Sequence, residues 1–493
     1  MTFLSGDGKM NYLLILLILG RILLLSAVSM LPPLLVSLIY GDGAHFSFII
    51  SAAALLVTGG VLVLLFLKHE RSMRPREGFV TVALCWIAIS LFGALPPFIS
   101  GAIPNYIDAL FEMTSGFTTT GATILQSIET LPESIVFWRG LTQWVGGMGV
   151  LLLTLAILPS DDRGIYNLMR AEATGPASER IVPRIRKTAA ILYTIYLTLT
   201  LLMTVMLLSG GMNLFDALLH AFTTASTGGF SSRDLSVGAY QSAYIEYTVA
   251  AFLLLFSINY TLYFAVVTRR FAKIRKNTEL KVFFGLIAVS TVLVSMDLIR
   301  SGVFDTIEET IRHSFFQVSS SGSSTAFFTT DYSMWPDFSR LILLCLTVVG
   351  GCAGSTAGGI KVIRAVMLGK SAFREIKKIL HPRSVIAVHM NGQPVQDKTL
   401  TGVLHYFVIY VMIVAAGTLI IALIDQLGVD TSVTCVLSMI SNTGPGFGVV
   451  GPSSNYSVFS VPSKLLLTLI MLVGRLEIFP ILMLLIPSSW RKV

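Results

Sequence analysis

Charged residues are scarce in this chain, and their scarcity excludes a soluble globular domain. Asp, Glu, Lys and Arg make up 13% of the 493 residues, whereas 54% are hydrophobic. An ordinary soluble domain carries about 25% charged residues. A bilayer core about 30 Å thick requires about 20 apolar residues per helix, and the sequence supplies such runs repeatedly. It therefore predicts a polytopic membrane protein.

The sequence also lacks the usual patterns of catalysis and of metal binding. It contains no nucleophile elbow, no HExxH pair and no GxGxxG motif after a strand, so we predict that it is not an enzyme and carries no covalently bound cofactor. Several residues that could ligate metals show no suitable spacing, and we interpret them as packing or hydrogen-bonded residues: Cys85, Cys345, Cys352, Cys435, His220, His313, His381 and His405.

Ten apolar runs are long enough to predict membrane-spanning helices. The first is too long for the apolar core of a signal peptide and is interpreted as a retained helix. The runs cover residues 12–39, 46–67, 79–100, 135–158, 189–208, 244–267, 282–299, 338–368, 402–425 and 463–486.

The net charge of +8 follows the membrane topology and does not indicate a nucleic-acid partner. Most of the 35 Lys and Arg residues lie in alternate loops and near the chain ends. By the positive-inside rule these segments are cytoplasmic. This predicts cytoplasmic N- and C-termini and places residues 101–134, 209–241, 301–337 and 426–462 on the outer side.

The four outer segments form an internal repeat. Each opens with an apolar stretch of about one short helix and continues into a turn rich in hydroxyl residues and glycine, as in "YIDALFEMTSGFTTTGAT" and "LFDALLHAFTTASTGGFSS". The turn positions 121, 228, 326 and 444 are about 100 residues apart. A helix of about 10 to 12 residues is half a membrane thick, which is typical of a re-entrant segment.

An acidic residue near the start of each short helix supports this interpretation, since it suits a helix N-terminus. Asp108, Asp216 and Asp430 lie 13, 12 and 14 residues before their turn positions. In the third segment Asp305 lies 21 residues before Ala326, so the spacing there is looser.

Irregular backbone at membrane depth is tolerated only where protein buries it or where it lines an aqueous path. Four such turns are therefore expected to meet on one axis, where carbonyl oxygens can replace the water around an ion. The partial negative charge at the C-termini of the short helices favours a cation. A single copy would more often be a packing turn, but four regularly spaced copies favour an ion filter.

Five segments resemble the pore and gate regions of one transporter family. "FDALLHAFTTASTGGFS", "WRGLTQWVGGMG", "GGCAGSTAGGIKVIR", "NTGPGFGVVGP" and "GRLEIFPILMLL" are similar to the TrkH/KtrB branch of the potassium transporters, which includes plant HKT and fungal Trk proteins. The two leading helices resemble TrkH rather than KtrB. The resemblance implies an all-α polytopic protein with four pseudo-symmetric helix/pore-loop/helix repeats around one pore, plus two N-terminal helices.

The same resemblance implies a function and partners. The expected function is potassium uptake across the bacterial cytoplasmic (inner) membrane, by an obligate homodimer with one pore per protomer. A cytosolic regulatory subunit of the TrkA or KtrA type would bind nucleotide, so nucleotide would act only through that partner. Potassium ions in the filter would be the transported cargo.

The repeats divide the chain into five predicted domains. They are an N-terminal helix pair at 1–78 and four pore repeats at 79–187, 188–281, 282–398 and 399–493, of which the third includes an intramembrane gate loop at 350–359.

The resemblance also assigns the potassium filter. Its residues would be Thr119, Thr120, Gly121, Ser226, Thr227, Gly228, Ser324, Thr325, Ala326, Asn442, Thr443 and Gly444. The third triplet has alanine where glycine is usual, unless Gly322 is the filter glycine in a longer loop. A non-glycine residue forced into the left-handed region costs about 1–2 kcal/mol. We therefore expect weaker discrimination of potassium from sodium than in an all-glycine relative.

A glycine-rich interruption and one intramembrane arginine indicate a gate. "GGCAGSTAGG" interrupts a long apolar run, and Arg475 lies near the middle of the last one. A flexible loop under the filter is preferred over close helix packing, and the arginine would raise the barrier to a cation. The predicted gate residues are Gly350, Gly351, Gly354, Gly358, Gly359, Lys361 and Arg475.

Some residues carry weaker predictions. Arg21 and Arg139 are interpreted as structural. Residues 361–383 are interpreted as a basic amphipathic helix at the cytoplasmic surface that either anchors at headgroups or moves the gate.

A transporter coupled to protons or sodium remains the alternative function. It would carry midplane carboxylates, whereas the acids here cluster in loops and at starts of the short helices.

Overall fold

Almost all of the regular secondary structure in the described residues is helical, and the strands are the short pair His389–Met390 and Gln393–Pro394. The computed structural model describes residues 10–67, 75–149, 185–384 and 386–487. Within these ranges, six helices are long and apolar enough to cross a membrane, and one bent pair adds a seventh. The predicted all-α polytopic membrane fold is therefore confirmed. Residues 68–74 and 150–184 and both chain ends lie outside the described residues. They include the end of the predicted span 135–158 and basic segments on which part of the topology prediction rests.

The N-terminal part is a helical pair packed through two glycines. Tyr12–Ser29, continued by Leu31–Tyr40, lies against His45–Phe66. A Cβ added to Gly59 would lie 2.8 Å from the Gly20 carbonyl oxygen, and one added to Gly20 would lie 2.9 Å from that of Gly59. The two backbones therefore approach as closely as small residues allow.

Four repeats follow, each with a leading helix, a short helix and a trailing helix. The leading helices are Pro75–Gly93, Ile185–Ser209, Thr278–Ser301 and Asp397–Asp425. The short helices are Tyr106–Phe117, Leu214–Ala225, Ile307–Gly322 and Val429–Ser441. The trailing helices are Glu133–Gly147, Ala243–Phe256, Asp337–Val349 and Val461–Arg475.

Side-chain caps and acidic residues fix the starts of the short helices. Asn105 and Asn213 accept from the backbone N–H of Ile107 and Asp216 at 2.8 Å. The third short helix differs from the prediction because it has 16 residues and begins after Asp305. Its first turn instead contains two glutamates, which satisfy the same electrostatic preference for an N-terminal negative charge.

The repeats close into a ring. Each of the second to fourth short helices packs against the trailing helix of the preceding repeat, and the first packs against the trailing helix of the fourth. Ion pairs support two of these contacts. Lys464 Nζ lies 2.7 Å from Asp108 Oδ1, and Arg312 Nη1 lies 2.7 Å from Glu246 Oε2. The four short helices therefore surround one axis within a single chain.

The trailing helices are shorter than the sequence predicts. They have 13 to 15 residues, about 20 Å at 1.5 Å per residue, which is less than the bilayer core. The predicted span 244–267 bends by 92° after Phe256. The predicted span 463–486 breaks after Arg475, where Glu477 and Ile478 have positive φ. Interruption is thus not confined to the glycine-rich third repeat.

We predict that Gly59→Ala lowers the unfolding temperature, whereas Gly60→Ala does not. Both substitutions gain up to about 1 kcal/mol of helix propensity, but only at Gly59 would the new Cβ press on a backbone oxygen; a Cβ at Gly60 has nothing within 4 Å. Overpacking of this kind costs about 1–3 kcal/mol. Thermal unfolding of the purified protein in detergent measures the difference. Equal unfolding temperatures for the two variants would contradict the proposed crossing.

Candidate ion pathway

The four short helices end with the same hydrogen-bonding pattern. In the first repeat Thr119 N–H donates to Gly116 O at 3.0 Å, and Thr120 N–H donates to Ser115 O at 2.9 Å. Equivalent pairs of bonds close the other three helices. In each case the first of the two donors belongs to a residue with φ between 51° and 56°: Thr119, Thr227, Ser324 and Asn442. This left-handed turn satisfies carbonyl groups that would otherwise be orphaned at membrane depth.

Counting from the left-handed residue sets the register of the four turns. Two residues later lie Gly121, Gly229 and Gly444, with φ of 78°, 81° and 96°. Ala326 occupies the same position in the third repeat. Gly322, the alternative third position, is the last residue of its helix and so lies outside the turn.

The second turn differs by one residue from the sequence prediction. Ser226 is the C-cap of the short helix, so the triplet equivalent to 119–121 is 227–229. Gly228 and Gly229 are adjacent, and spacing along the chain could not decide between them. The hydrogen bonds decide it, because Gly228 N–H donates to Thr223 O as Thr120 N–H donates to Ser115 O.

Ala326 avoids the backbone strain expected from the sequence. It lies outside the left-handed region, so the predicted cost of about 1–2 kcal/mol does not arise, and that part of the prediction is wrong. It differs from the glycines in its backbone conformation and in its methyl group. A Cβ added to Gly121 would lie 2.5 Å from the Ala326 Cβ, so the methyl projects towards the first turn.

The four turns meet at one place. A Cβ added to Gly121 would overlap the Gly228 carbonyl oxygen, and one added to Gly444 would lie 2.7 Å from the Thr120 carbonyl oxygen. A cavity is lined by Gly121, Gly229, Ala326 and Gly444 together with the loops that follow the turns. All four repeats thus contribute residues to the lining of one cavity.

A buried ion pair supports the first turn from behind. Arg139 Nε donates to Glu112 Oε1 at 2.9 Å, and both side chains are at most 1% exposed. Glu112 also accepts from Thr123 Oγ1 and from Ile124 N–H at 2.9 Å, which fixes the extended segment that follows the turn. Removing one partner of a buried pair costs about 3–5 kcal/mol. The structure thus shows Arg139 in a structural contact, and Glu112 is a residue that sequence patterns missed.

His220 occupies, in the second repeat, the position that Glu112 occupies in the first. Its Nε2 lies 3.0 Å from Ser231 Oγ, and its Nδ1 lies 2.8 Å from the Asp216 carbonyl oxygen. His313 Nδ1 lies 2.8 Å from Thr329 Oγ1. Within the described residues no group of three His, Cys, Asp or Glu side chains is arranged to hold a metal ion. These two histidines are hydrogen-bonded packing residues.

The glycine-rich loop lies directly under the turns. Gly350, Gly354 and Gly359 have φ of 69°, 72° and 75°, which explains the glycine content because side chains disfavour this conformation. Gly359 N–H donates to Ser441 O at 2.9 Å, and Gly358 N–H donates to Ser324 Oγ at 2.5 Å. The loop therefore contacts the inner ends of the third and fourth short helices.

A buried glutamate joins this loop to the start of the helix that follows it. Glu279 Oε1 accepts from Ala353 N–H at 2.7 Å and from Ile363 N–H at 3.2 Å. Lys361 is 3% exposed, and its Nζ donates to the Ala357 carbonyl oxygen. The sequence placed Glu279 near the start of a spanning helix, but no pattern linked it to a loop about 80 residues later.

Arg475 joins three parts of the pathway. Its Nη1 donates to Thr119 Oγ1 at 3.2 Å and to the Thr356 carbonyl oxygen at 3.3 Å, and its Nη2 donates to Gly147 O at 2.8 Å. The side chain thus lies beside the glycine-rich loop and below the first turn. Glu477, two residues later in the chain, forms an ion pair with Arg364.

The predicted amphipathic segment forms the helix Val362–Leu380, directly after Lys361. Its exposed apolar side chains include Phe373, Ile376 and Leu380, and Lys377 and Lys378 lie in its last turn. The helix therefore continues from the loop without a linker.

These features define a polytopic membrane protein with a ring of four re-entrant helices. The chain matches the TrkH family, described as a cation transport protein, over residues 44–492. It therefore belongs to the TrkH family, whose members are transporters and not enzymes, and the resemblance inferred from the sequence is confirmed.

Relatives match along their whole length. The Trk system potassium uptake protein TrkH of Halomonas elongata is 37% identical over 488 residues, which is 98% of this chain and 100% of the relative. The protein of the same name from Escherichia coli K12 is 37% identical over 489 residues, with the same coverage. The crystal structure of the potassium transporter TrkH from Vibrio parahaemolyticus matches with a TM-score of 0.88 at 33% identity, covering 98% of this chain and 100% of that one.

Proposed function

We propose that this chain takes up potassium across the bacterial cytoplasmic membrane through a channel-like pore on the axis of its ring. The observation that carries the proposal is the meeting of four equivalent turns, one from each repeat, at a single constriction. Relatives of equal length are named potassium uptake proteins. Rings of backbone carbonyls replace the hydration shell of potassium in channels.

The proposed selectivity filter consists of the four triplets in the register of the hydrogen bonds. They are residues 119–121, 227–229, 324–326 and 442–444. The C-termini of four helices point at this place, and their partial negative charges favour a cation over an anion. Glycine at the third position leaves the axis free of side chains, except at Ala326.

The proposed gate is the loop at 350–359 with Lys361 and Arg475. The loop lies against the inner ends of the short helices, so it obstructs a path that leaves the filter towards the cytoplasm. Arg475 adds a fixed positive charge at the same depth, which raises the energy of a passing cation. Permeation requires both to move.

The proposal extends to assembly and topology. We propose a homodimer whose cytosolic regulatory subunit, of the TrkA or KtrA type, binds nucleotide, with both chain ends in the cytoplasm. Two observations support this. The described basic loops follow the positive-inside rule, and the basic surface helix Val362–Leu380 follows the gate loop directly after Lys361. Displacement of that helix by a bound subunit would pull on the loop.

We predict that Gly121→Ala abolishes growth rescue of a potassium-uptake-deficient bacterium at low potassium, whereas Gly101→Ala retains it. Both glycines have positive φ, of 78° and 76°. An added Cβ meets the second turn at Gly121, but nothing within 4 Å at Gly101. Growth at low potassium, with membrane expression checked, is the measurement. No rescue by the wild-type protein would reject the proposed function, and rescue by Gly121→Ala would reject the filter.

We predict that Ala326→Gly raises the ratio of potassium to sodium flux. Glycine removes the methyl group facing Gly121 and lets the third carbonyl align with the other three. We expect the flux ratio to rise about fivefold, which corresponds to the free energy of about one hydrogen bond. Flux of both ions into liposomes containing the purified protein measures the ratio. Gly285→Ala, at a site with nothing within 4 Å, is a control for a glycine–alanine exchange elsewhere. An unchanged ratio after Ala326→Gly would remove this account of the third repeat.

We predict that Arg475→Ala increases potassium flux about tenfold or more, because a fixed charge within a few ångströms of the path is removed. Arg475→Lys retains the charge but loses the forked hydrogen bonds. Slow potassium flux through the lysine variant would therefore assign the barrier to the charge, and fast flux would assign it to the hydrogen bonds. Arg300→Ala, at an exposed site in the last turn of Thr278–Ser301, is the control for net charge. A wild-type flux in Arg475→Ala would show that Arg475 is not a barrier.

A further inference from the structure

The gate donates one hydrogen bond to each of the four repeats. The acceptors lie at the inner end of each short helix, and we call these four oxygen atoms the inner ring. They are Thr119 Oγ1, which accepts from Arg475 Nη1 at 3.2 Å; Ala225 O, from Thr356 Oγ1 at 3.0 Å; Ser324 Oγ, from Gly358 N–H at 2.5 Å; and Ser441 O, from Gly359 N–H at 2.9 Å.

The chemistry of the inner ring suits a potassium ion as well as the gate. It contains two hydroxyl and two carbonyl oxygens, of the kind that coordinate potassium in filters. Its residues are at most 1% exposed, and the negative ends of four helices point towards it. A gate that withdraws would leave four buried acceptors without donors, which is unfavourable unless another partner takes their place.

We propose that the gate loop and a potassium ion compete for the inner ring, so that potassium bound there holds the loop in its withdrawn position. This inference rests on the proposed function, since it requires potassium to reach the ring through the pore. The inner ring is then a cation site at the loop-facing edge of the filter, formed in part by the filter residues Thr119 and Ser324, that exists only while the gate is open. Potassium in the pathway consequently stabilises the open state.

Charge supports this competition. Arg475 places a guanidinium group 3.2 Å from Thr119 Oγ1 and donates to the loop at the Thr356 carbonyl. A positive group therefore already lies beside the oxygen atoms that a cation would approach. Two cations this close repel strongly, so potassium at the ring favours departure of Arg475 and of the loop attached to it.

Thr356 offers a matched pair of variants. Thr356→Val keeps the shape of the side chain and removes the hydroxyl that donates to Ala225 O at 3.0 Å and to Phe256 O at 3.3 Å, whereas Thr356→Ser keeps that hydroxyl. Losing one such bond is expected to shift the equilibrium towards the withdrawn loop about fivefold. Because Thr356 accepts from Arg475 through its backbone, both variants retain that contact.

Cys352 provides a reporter within the loop, because its side chain is 1% exposed in the blocked arrangement. The experiment uses full-length protein in lipid nanodiscs with the other three cysteines replaced by alanine. We measure the rate at which a charged thiol reagent labels Cys352 in potassium chloride, in sodium chloride and in N-methylglucamine chloride of equal ionic strength. We expect faster labelling in potassium, about fivefold faster labelling of Thr356→Val without potassium, and wild-type behaviour of Thr356→Ser.

Potassium flux of the same proteins in liposomes distinguishes a failure of the proposed competition from a failure of the proposed function. Normal flux with labelling that is equal in the three salts would overturn the competition and leave the proposed function intact. Labelling promoted equally by sodium would overturn potassium as the competing ion, and Thr356→Val labelling at the wild-type rate would overturn the role of the inner ring. Absence of any potassium flux would reject the proposed function and this inference together.

Discussion

Backbone groups that leave a helix inside a membrane must find partners, and this constraint governs the centre of the molecule. The short helices have 12 to 16 residues, too few to cross a bilayer core about 30 Å thick. They end among buried residues, where water is not available to their last carbonyls. A left-handed residue at Thr119, Thr227, Ser324 and Asn442 turns two N–H groups back onto those carbonyls. After this turn, Gly121, Gly229, Ala326 and Gly444 line one cavity. The hydrogen-bonded turn therefore creates the irregular backbone from which a filter can be built.

A single chain can vary each quarter of such a ring, and this protein does so. Asn442 replaces the hydroxyl residue of the other left-handed positions, and its amide donates to Thr120 Oγ1 and to Met471 O at 2.9 Å. This joins the last repeat to the first, where the ring has no covalent connection. Glu112 stiffens the first turn through Arg139, whereas the third turn has the methyl of Ala326. Selectivity can thus depend on differences among repeats that a fourfold homotetramer would lack.

The sequence was sufficient for the repeat, the membrane fold and the family, because apolar runs and turn composition are local signals. It failed where contacts between distant segments decide the structure. Spacing could not choose between Gly228 and Gly229, since either fits a turn and only the bonds to the preceding helix distinguish them. Glu279 contacts Ala353 and Ile363, and no periodicity connects those positions. The trailing helices were predicted too long because hydropathy does not detect a break between apolar residues.

Those breaks explain how an arginine is tolerated at membrane depth. A guanidinium group there costs several kcal/mol unless acceptors surround it. The first trailing helix ends at Gly147, so its last carbonyls receive no donors from a further helical turn. Arg475 donates to the carbonyl oxygens of Gly146 and Gly147, and Gly146 O also accepts from Gly149 N–H at 3.0 Å. A cation also suits the negative end of a helix. The end of one helix thus solvates the charge at the end of another. A continuous first trailing helix would use the same carbonyls internally, and Arg475 would lose the partners that hold it against the loop.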